Sequence, residues 1–227
     1  MAIKFSSADA RLDCGMFVPG VWTGLTAECW VYLYSNNNCK FIYEGGPGNI
    51  TQRFFIGFDG INVNGAVHSV YGGKTVTGGL IPLNTWTHVA ITNIWSYSGE
   101  TGGNRLYVNG EEVANFMGIT DTVNDPSYPL TLGNTDAVTG NYLMDGILDE
   151  VRIWNYKRTP NQIKTYMDKR IIPGPPSTGL FGLWRLDEGV LGSLPGGASA
   201  VDLISGFNGI ASGTLSYVDG APIQWGL

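Results

Sequence analysis

The sequence predicts an all-β protein, either a sandwich of two antiparallel sheets or a barrel, and three observations predict it. Segment after segment alternates apolar and polar residues with period two, the repeat of a half-buried strand. The segments end at tight-turn signals such as Asn109-Gly110. Glycine is abundant at 33 residues, and aromatic residues make up 12% of the 227. Short strands punctuated in this way belong to sandwiches and barrels, and 227 residues is an ordinary length for one such domain.

The first clear strand is Thr-Ala-Glu-Cys-Trp-Val-Tyr-Leu-Tyr at residues 26–34. Pleating puts Ala27, Cys29, Val31 and Leu33 on one face and Glu28, Trp30, Tyr32 and Tyr34 on the other. Asp59-Gly60 and Asn64-Gly65 predict two tight turns. Residues 86–92 alternate again, with Thr87, Val89 and Ile91 opposed to Trp86, His88 and Ala90. Asn109-Gly110 joins Leu106-Tyr107-Val108 to Glu111-Glu112-Val113 and predicts a type I′ hairpin, which needs positive φ at both central residues.

One helix interrupts the strands. Thr159 is placed as N-cap, Pro160 occupies the permitted first position and Gln162 completes a capping box. Ile163, Tyr166 and Met167 form one apolar stripe that must dock on a sheet. Ile172-Pro173-Gly174-Pro175-Pro176 follows as a stiff connector. The expected organisation is one domain over 1–227. The main sandwich strands lie in 1–158, the helix in 159–170, the Pro/Gly connector in 171–179 and a tail in 180–227 that returns to complete the sandwich. About fifty glycine-rich residues are too few for a secure core of their own.

Composition excludes several classes. The formal charge is −6, and only 14% of residues are charged against about 25% in an average domain. An acidic chain poor in Lys and Arg argues against a nucleic-acid binder. No apolar stretch approaches the roughly 20 residues of a spanning helix, so no membrane insertion is expected. Cys14, Cys29 and Cys39 are odd in number and contain no CxxC pair, so reduced core thiols are expected rather than a zinc site or a disulfide framework. Met1-Ala2-Ile3-Lys4-Phe5 offers neither a basic n-region nor an apolar h-region, so folding in the cytoplasm without a signal peptide is expected.

Five phrases in order carry a family resemblance: Thr26 to Val31 (TAECWV), Trp86 to Ala90 (WTHVA), Leu106 to Gly110 (LYVNG), Leu130 to Gly133 (LTLG) and Gly146 to Trp154 (GILDEVRIW). Together they resemble the laminin G-like, concanavalin A-like lectin/glucanase jelly rolls. The tail phrase Gly182 to Gly189 (GLWRLDEG), followed by Gly206-Phe207-Asn208-Gly209, is similar to the strand and turn that accompany these domains. The resemblance implies a two-sheet antiparallel jelly-roll sandwich with one short covering helix. It implies little about activity, because this fold hosts lectins, adhesion modules, enzymes and structural proteins alike. Two departures stand out: the segment from Asn93 to Asn104 is longer than the family's short turn, and a mostly extracellular family is met here without an export signal.

No catalytic pattern accompanies the resemblance. The glucanases of this fold carry Glu-x-Asp-x-x-Glu on one strand, and retaining chemistry needs carboxyl groups about 5–5.5 Å apart. The comparable segment here is Asp145 to Glu150, where Asp145 and Asp149 lie about 13 Å apart at the usual strand rise. Glu28, His88, Glu150 and Arg152 share the face away from the inter-sheet core, beside Trp30 and Trp154. They could form an active site or a hydrogen-bonded ion-pair network under the helix, and the second is expected because all lie in fold-bearing phrases. No Gly-x-Ser-x-Gly elbow, phosphate loop or His-rich metal spacing appears, and His68 has no evident partner. The protein is therefore not expected to be an enzyme.

Other candidates concern binding. Strict alternation turns Asp149 toward the core, where a carboxylate must be hydrogen-bonded to backbone or bound to a metal. Asp149 is thus a weak calcium candidate, with Asp9, Asp13 and Asp145 as helpers, although no cofactor is required. Arg152, Lys157, Arg158, Lys164, Lys169 and Arg170 cluster within 19 positions and read as a solvated helix face or a dock for an acidic partner. Trp95, Tyr97 and Tyr128 stand in polar, glycine- or proline-rich loops. There they would either stack on sugar rings or a protein partner, or pack locally.

The reading is a non-catalytic recognition or structural module. Its expected setting is a virion surface, as a capsid decoration or fibre protein folded in the host cytoplasm. Its expected partners are a cell-surface glycan, another virion or capsid protein, or further copies of itself. The alternatives are a secreted or cell-surface carbohydrate-binding adhesion module and a glycosidase of the concanavalin-like class. The last requires an open groove holding Glu28 and Glu150.

Overall fold

A computed structural model describes residues 1–17, 22, 24–45, 52–67, 75–94, 102–118, 128–135, 144–174, 178–193 and 199–224. In chain order the strands are β1 (Ala2–Phe5), β2 (Arg11–Phe17), β3 (Gly24–Leu33), β4 (Cys39–Gly45), β5 (Gln52–Phe58), β6 (Asn62–Val67), β7 (Val76–Leu80), β8 (Thr87–Ile94), β9 (Gly103–Val108), β10 (Glu111–Met117), β11 (Tyr128–Leu132) and β12 (Gly146–Trp154). Helix α1 (Pro160–Tyr166) follows, then β13 (Leu180–Trp184), β14 (Gly192–Ser193), β15 (Ser199–Ala200), β16 (Gly209–Ser212) and β17 (Leu215–Val218).

These strands form two antiparallel sheets, the sandwich that the alternation predicts. One runs β10-β9-β8-β3-β12-β1-β17-β14, with β13 also on β12, and the other runs β15-β16-β2-β11-β4-β5-β6-β7. The last strands of the chain therefore enter both sheets. β1 lies between β12 and β17, with Ile3 opposite both Leu148 and Tyr217. β3 pairs along most of β12, and the other edge of β12 is divided between β1 at residues 146–148 and β13 at 151–154.

Between the sheets lies one continuous core. Ala27, Cys29, Val31 and Leu33 of β3 face it, with Val89 and Ile91 of β8 and Leu106 of β9. Phe41, Phe54, Ile56, Phe58, Leu130 and Leu132 meet them from the second sheet, and the fully buried Trp184 fills the end reached by the tail. Cys14, Cys29 and Cys39 are free, buried thiols, and burial pushes that of Cys39 up to about 12. Two turn signals are realised. Asn109 and Gly110 take φ of 50° and 79° between β9 and β10. The Asp59 carboxylate accepts from the amides of Ile61 and Asn62 at the corner between β5 and β6.

The third signal is overridden. Asn64 and Gly65 lie inside β6, not in a turn. A Cβ at Gly65 would come within 2.9 Å of Ile91 Cδ1 and 3.0 Å of the Phe55 carbonyl, so this glycine makes room for core side chains. The helix is shorter than its pattern predicts. Its capping box forms, with the Thr159 hydroxyl accepting from the Gln162 amide and the Gln162 side chain accepting from the Thr159 amide. It ends at Tyr166, not at 170, and only Ile163 of the stripe is buried, against Ala90 and Tyr107. Tyr166 is 44% exposed.

Gly133, with φ of 85° after β11, lies directly against the Phe5 ring, leaving no space for a side chain. Replacing it with alanine adds left-handed backbone strain to an overpacked core. Gly133→Ala should cost about 3 kcal/mol in urea unfolding, with the dependence on urea unchanged. A loss below about 0.5 kcal/mol would contradict this packing.

Candidate functional site

The polar cluster expected on the outer face of β3, β8 and β12 exists, and it is closed. Glu28 is fully buried. Its Oε1 accepts from Arg158 Nη1 at 2.9 Å and Trp154 Nε1 at 3.0 Å, and Arg152 Nη1 lies 3.6 Å away. Its Oε2 lies 3.7 Å from His88 Nε2. Arg152 Nη2 also donates to Glu150 Oε2 at 3.0 Å, and Arg170 approaches the other Glu150 oxygen at 3.5 Å. The Arg158 guanidinium lies over the Trp154 ring at 4.3 Å.

Charge explains the protonation states. Burial alone would raise the Glu28 carboxyl, but Arg158 and Arg152 outweigh it and hold the carboxyl below its usual range. Burial pushes His88 down to about 4, more strongly than Glu28 pulls it up, so the imidazole is neutral. Glu28 and Glu150 thus face Arg152 and Arg158, while Arg170 at the rim is shared between Glu150 and Asp187.

Helix α1 and the turn after it form the lid. Arg152 Nη1 donates to the Tyr166 carbonyl at 3.0 Å and Nη2 to the Lys169 carbonyl at 2.7 Å, while Trp30 Nε1 donates to the Met167 carbonyl at 2.7 Å. These donors satisfy carbonyls left open where the helix stops, which is why it stops there. The basic cluster is correspondingly not a solvated face. Arg152 and Arg158 are 1% and 3% exposed, whereas Lys164 reaches out to pair with Glu111 at the surface.

Asp149 departs from strict alternation. The register of β12 against β3 shifts between Asp149 and Arg152, inserting one extra residue, and Glu150 adopts φ of 46°. Leu148, Val151 and Ile153 consequently face the core, and Asp149 does not. Its Oδ1 accepts from the Glu150 amide at 2.9 Å and its Oδ2 from the Ala221 amide at 2.8 Å. A cradle of N–H donors suits an anion, and among the described residues no group of three or more His, Cys, Asp or Glu comes together. Asp149 therefore fits calcium poorly and instead ties the tail to β12. Gly220 is tight here, since a Cβ would meet Asp149 Oδ2 at 2.6 Å.

The aromatic candidates are placed only in part. Trp95 and Tyr97, like His68, lie outside the described residues. β8 and β9 extend as far as the pair Ile94–Gly103, so both ends of the long Asn93–Asn104 segment are paired strand, fastened by Asn93 Nδ2 donating to Asn104 Oδ1 at 2.8 Å. Tyr128 opens β11 opposite Phe17 of β2.

A two-sheet jelly roll with a helix sealing one outer face is a lectin-type architecture. The chain belongs to the concanavalin A-like lectin/glucanases superfamily, whose family model matches residues 16–164. It is similar in structure to a Bacteroides ovatus ATCC 8483 protein described as a "putative carbohydrate binding protein", at 24% identity and a TM-score of 0.71. That match covers 98% of this chain and 61% of that one, so this chain spans less than two thirds of its relative. Domains LG4-5 of the mouse laminin alpha1 chain match at 13% identity and a TM-score of 0.53, over 70% of this chain and 43% of theirs. The CBM40 of the Ruminococcus gnavus IT-sialidase, bound to alpha2,3 sialyllactose, matches at 13% identity and 0.51, over 64% and 83%. No curated protein sequence matches significantly.

Two predictions test the network. Glu28→Gln takes from the buried Arg158 guanidinium its carboxylate partner and should cost about 3–5 kcal/mol of stability. Adding Arg158→Met should cost less than the sum of the two single changes, and strict additivity would show the pair is uncoupled. The second concerns pH. Burial raises the Asp149 carboxyl to about 7, against the amides that lower it. Between about pH 4 and 7 the native state keeps a proton that the unfolded chain releases, so this group makes stability fall as pH rises. His88 acts oppositely between about pH 4 and 6.5, where the unfolded chain binds a proton that the native state refuses. Relative to the wild type, Asp149→Asn should therefore gain stability as pH rises from about 4 to 6.5. Parallel pH profiles of thermal midpoint would refute the assignment.

Proposed function

We propose that the protein is a non-catalytic recognition module whose ligand is a glycan. The observation that carries the non-catalytic part is the burial of Glu28 and Glu150, which are 0% and 1% exposed beneath α1 and cannot meet a substrate. A glycosidase of this fold needs two accessible carboxyl groups flanking one bond. The glycan part is supported by the superfamily and by the sugar-binding descriptions of two structural neighbours. Trp95, Tyr97 and Tyr128 are the proposed contacts, offering flat rings with polar edges. We further propose display on a virus particle, as a capsid decoration or fibre protein. Three free, buried thiols support it, since they fit folding in a reducing compartment.

On a printed glycan array the purified protein should bind at least one glycan. Trp95→Ala or Tyr97→Ala should abolish that signal while leaving the melting temperature in place. An array without signal would refute the glycan reading. Mass spectrometry of purified particles from the source should find the protein, and recovery from the outer surface of cells alone would favour an adhesion module instead.

A further inference from the structure

The outer face of the second sheet carries an open cleft of about 880 Å³ where β2 meets β16. Its floor comes from two stretches of chain some two hundred residues apart. In β2 the register slips by one residue at Gly15, which has φ of 71°, and the Gly15 amide donates to Asp13 Oδ1 at 3.0 Å. This bulge keeps Leu12 and Cys14 in the core while Arg11, Asp13 and Met16 all project outward. On β16, Ile210 stands opposite Asp13 and Ser212 opposite Arg11.

The groups in the cleft are chemically complementary and unsatisfied. The Arg11 side chain makes no hydrogen bond or ion pair among the described residues, its Nε is buried without a partner, and the Asp9 carboxylate lies within its electrostatic reach. Asn208 Oδ1 is occupied by the Asp202 amide at 2.9 Å, which leaves the Asn208 NH₂ group as a free donor. Asp13 supplies acceptor oxygens. Between them lies apolar surface, with Met16 53% and Ile210 54% exposed and Phe207 at the rim.

The rim is rigid before any ligand arrives. The Asp202 carboxylate accepts amides from Leu183, Ile204, Ser205 and Phe207 at 3.0–3.1 Å, winding the 202–208 loop around one side chain. Phe207 stacks on Phe181, and its carbonyl accepts from Trp184 Nε1 at 2.9 Å. A preformed rim spares a ligand the entropy of ordering it.

We infer that this cleft is a sugar-binding site of the chain, one that does not draw on Trp95 or Tyr97. A pyranose presents C–H faces to apolar surface and ring hydroxyls that both donate and accept. Asp13 would accept from a hydroxyl, Arg11 and Asn208 would donate to hydroxyl oxygens, and Met16 and Ile210 would meet the C–H face. The volume lies within the roughly 300–1,000 Å³ of small-ligand sites. The inference rests on the glycan reading above and adds a second place on the chain where such a ligand binds.

The test titrates the full chain with lactose, maltose, cellobiose and di-N-acetylchitobiose. Calorimetry supplies the affinity, and Arg11→Met and Asp13→Asn are the variants. Each should weaken binding at least tenfold with the melting temperature within about 2 °C of wild type. Amide shifts on titrating the wild type provide a readout that does not depend on the variants folding, and they should concentrate at residues 11–16 and 206–212. Binding by wild type with unchanged affinity in both variants, or with shifts confined elsewhere, overturns the cleft and leaves the glycan reading standing. No binding of any of the four sugars by wild type also overturns the cleft, and a silent array beside it overturns the glycan reading as well.

Discussion

One buried carboxylate organises half of the molecule. Glu28, in the middle of β3, gathers Trp154 of β12 and Arg158 from the approach to α1, with His88 of β8 beside it. Burying a charge in this way is costly unless it is matched, and here Glu28 and Glu150 meet Arg152, Arg158 and, from the rim, Arg170, with histidine neutral. Matching makes the arrangement selective. A helix docked one turn out of place would leave a guanidinium or a carboxylate alone in the interior, so the helix has one allowed seat.

That seat fixes much else. Arg152 and Trp30 spend donors on carbonyls at and beyond the end of α1, and the chain then runs beside the tail, where the Gln224 amide donates to the Asp168 carbonyl and the Arg170 amide to the Gln224 carbonyl. The outer face of the first sheet is thereby roofed. The second sheet keeps open surface at β2 and β16.

Much of this was legible in the residues themselves. Period-two alternation placed Ala27, Cys29, Val31 and Leu33 on the core side, Asn109-Gly110 marked its hairpin, and Thr159 to Gln162 announced the cap. The bulge at Asp149–Glu150 was not legible, because one inserted residue reverses the parity of everything before it and leaves no compositional trace. Asn64-Gly65 misled because a preference for turns is weak beside the need to clear Ile91. Alternation already set Arg152 beside Glu28, but Arg158 looked like surface because charge density in sequence does not reveal that the same carboxylate lies beneath it. The cleft was hidden for a simpler reason: its halves belong to opposite ends of the chain, and only the fold brings Asp13 and Ile210 together.

The position of β1 between β12 and β17 has a consequence for biogenesis. β1 is synthesised long before either strand that flanks it, since residues 146–148 and 215–218 must follow it. At roughly 5–20 residues per second, the edge that takes β17 stays bare for about 10–40 s. A nick between the helix and the closing strands would recreate that state in the mature protein, uncovering strand edges in both layers at once and inviting self-association.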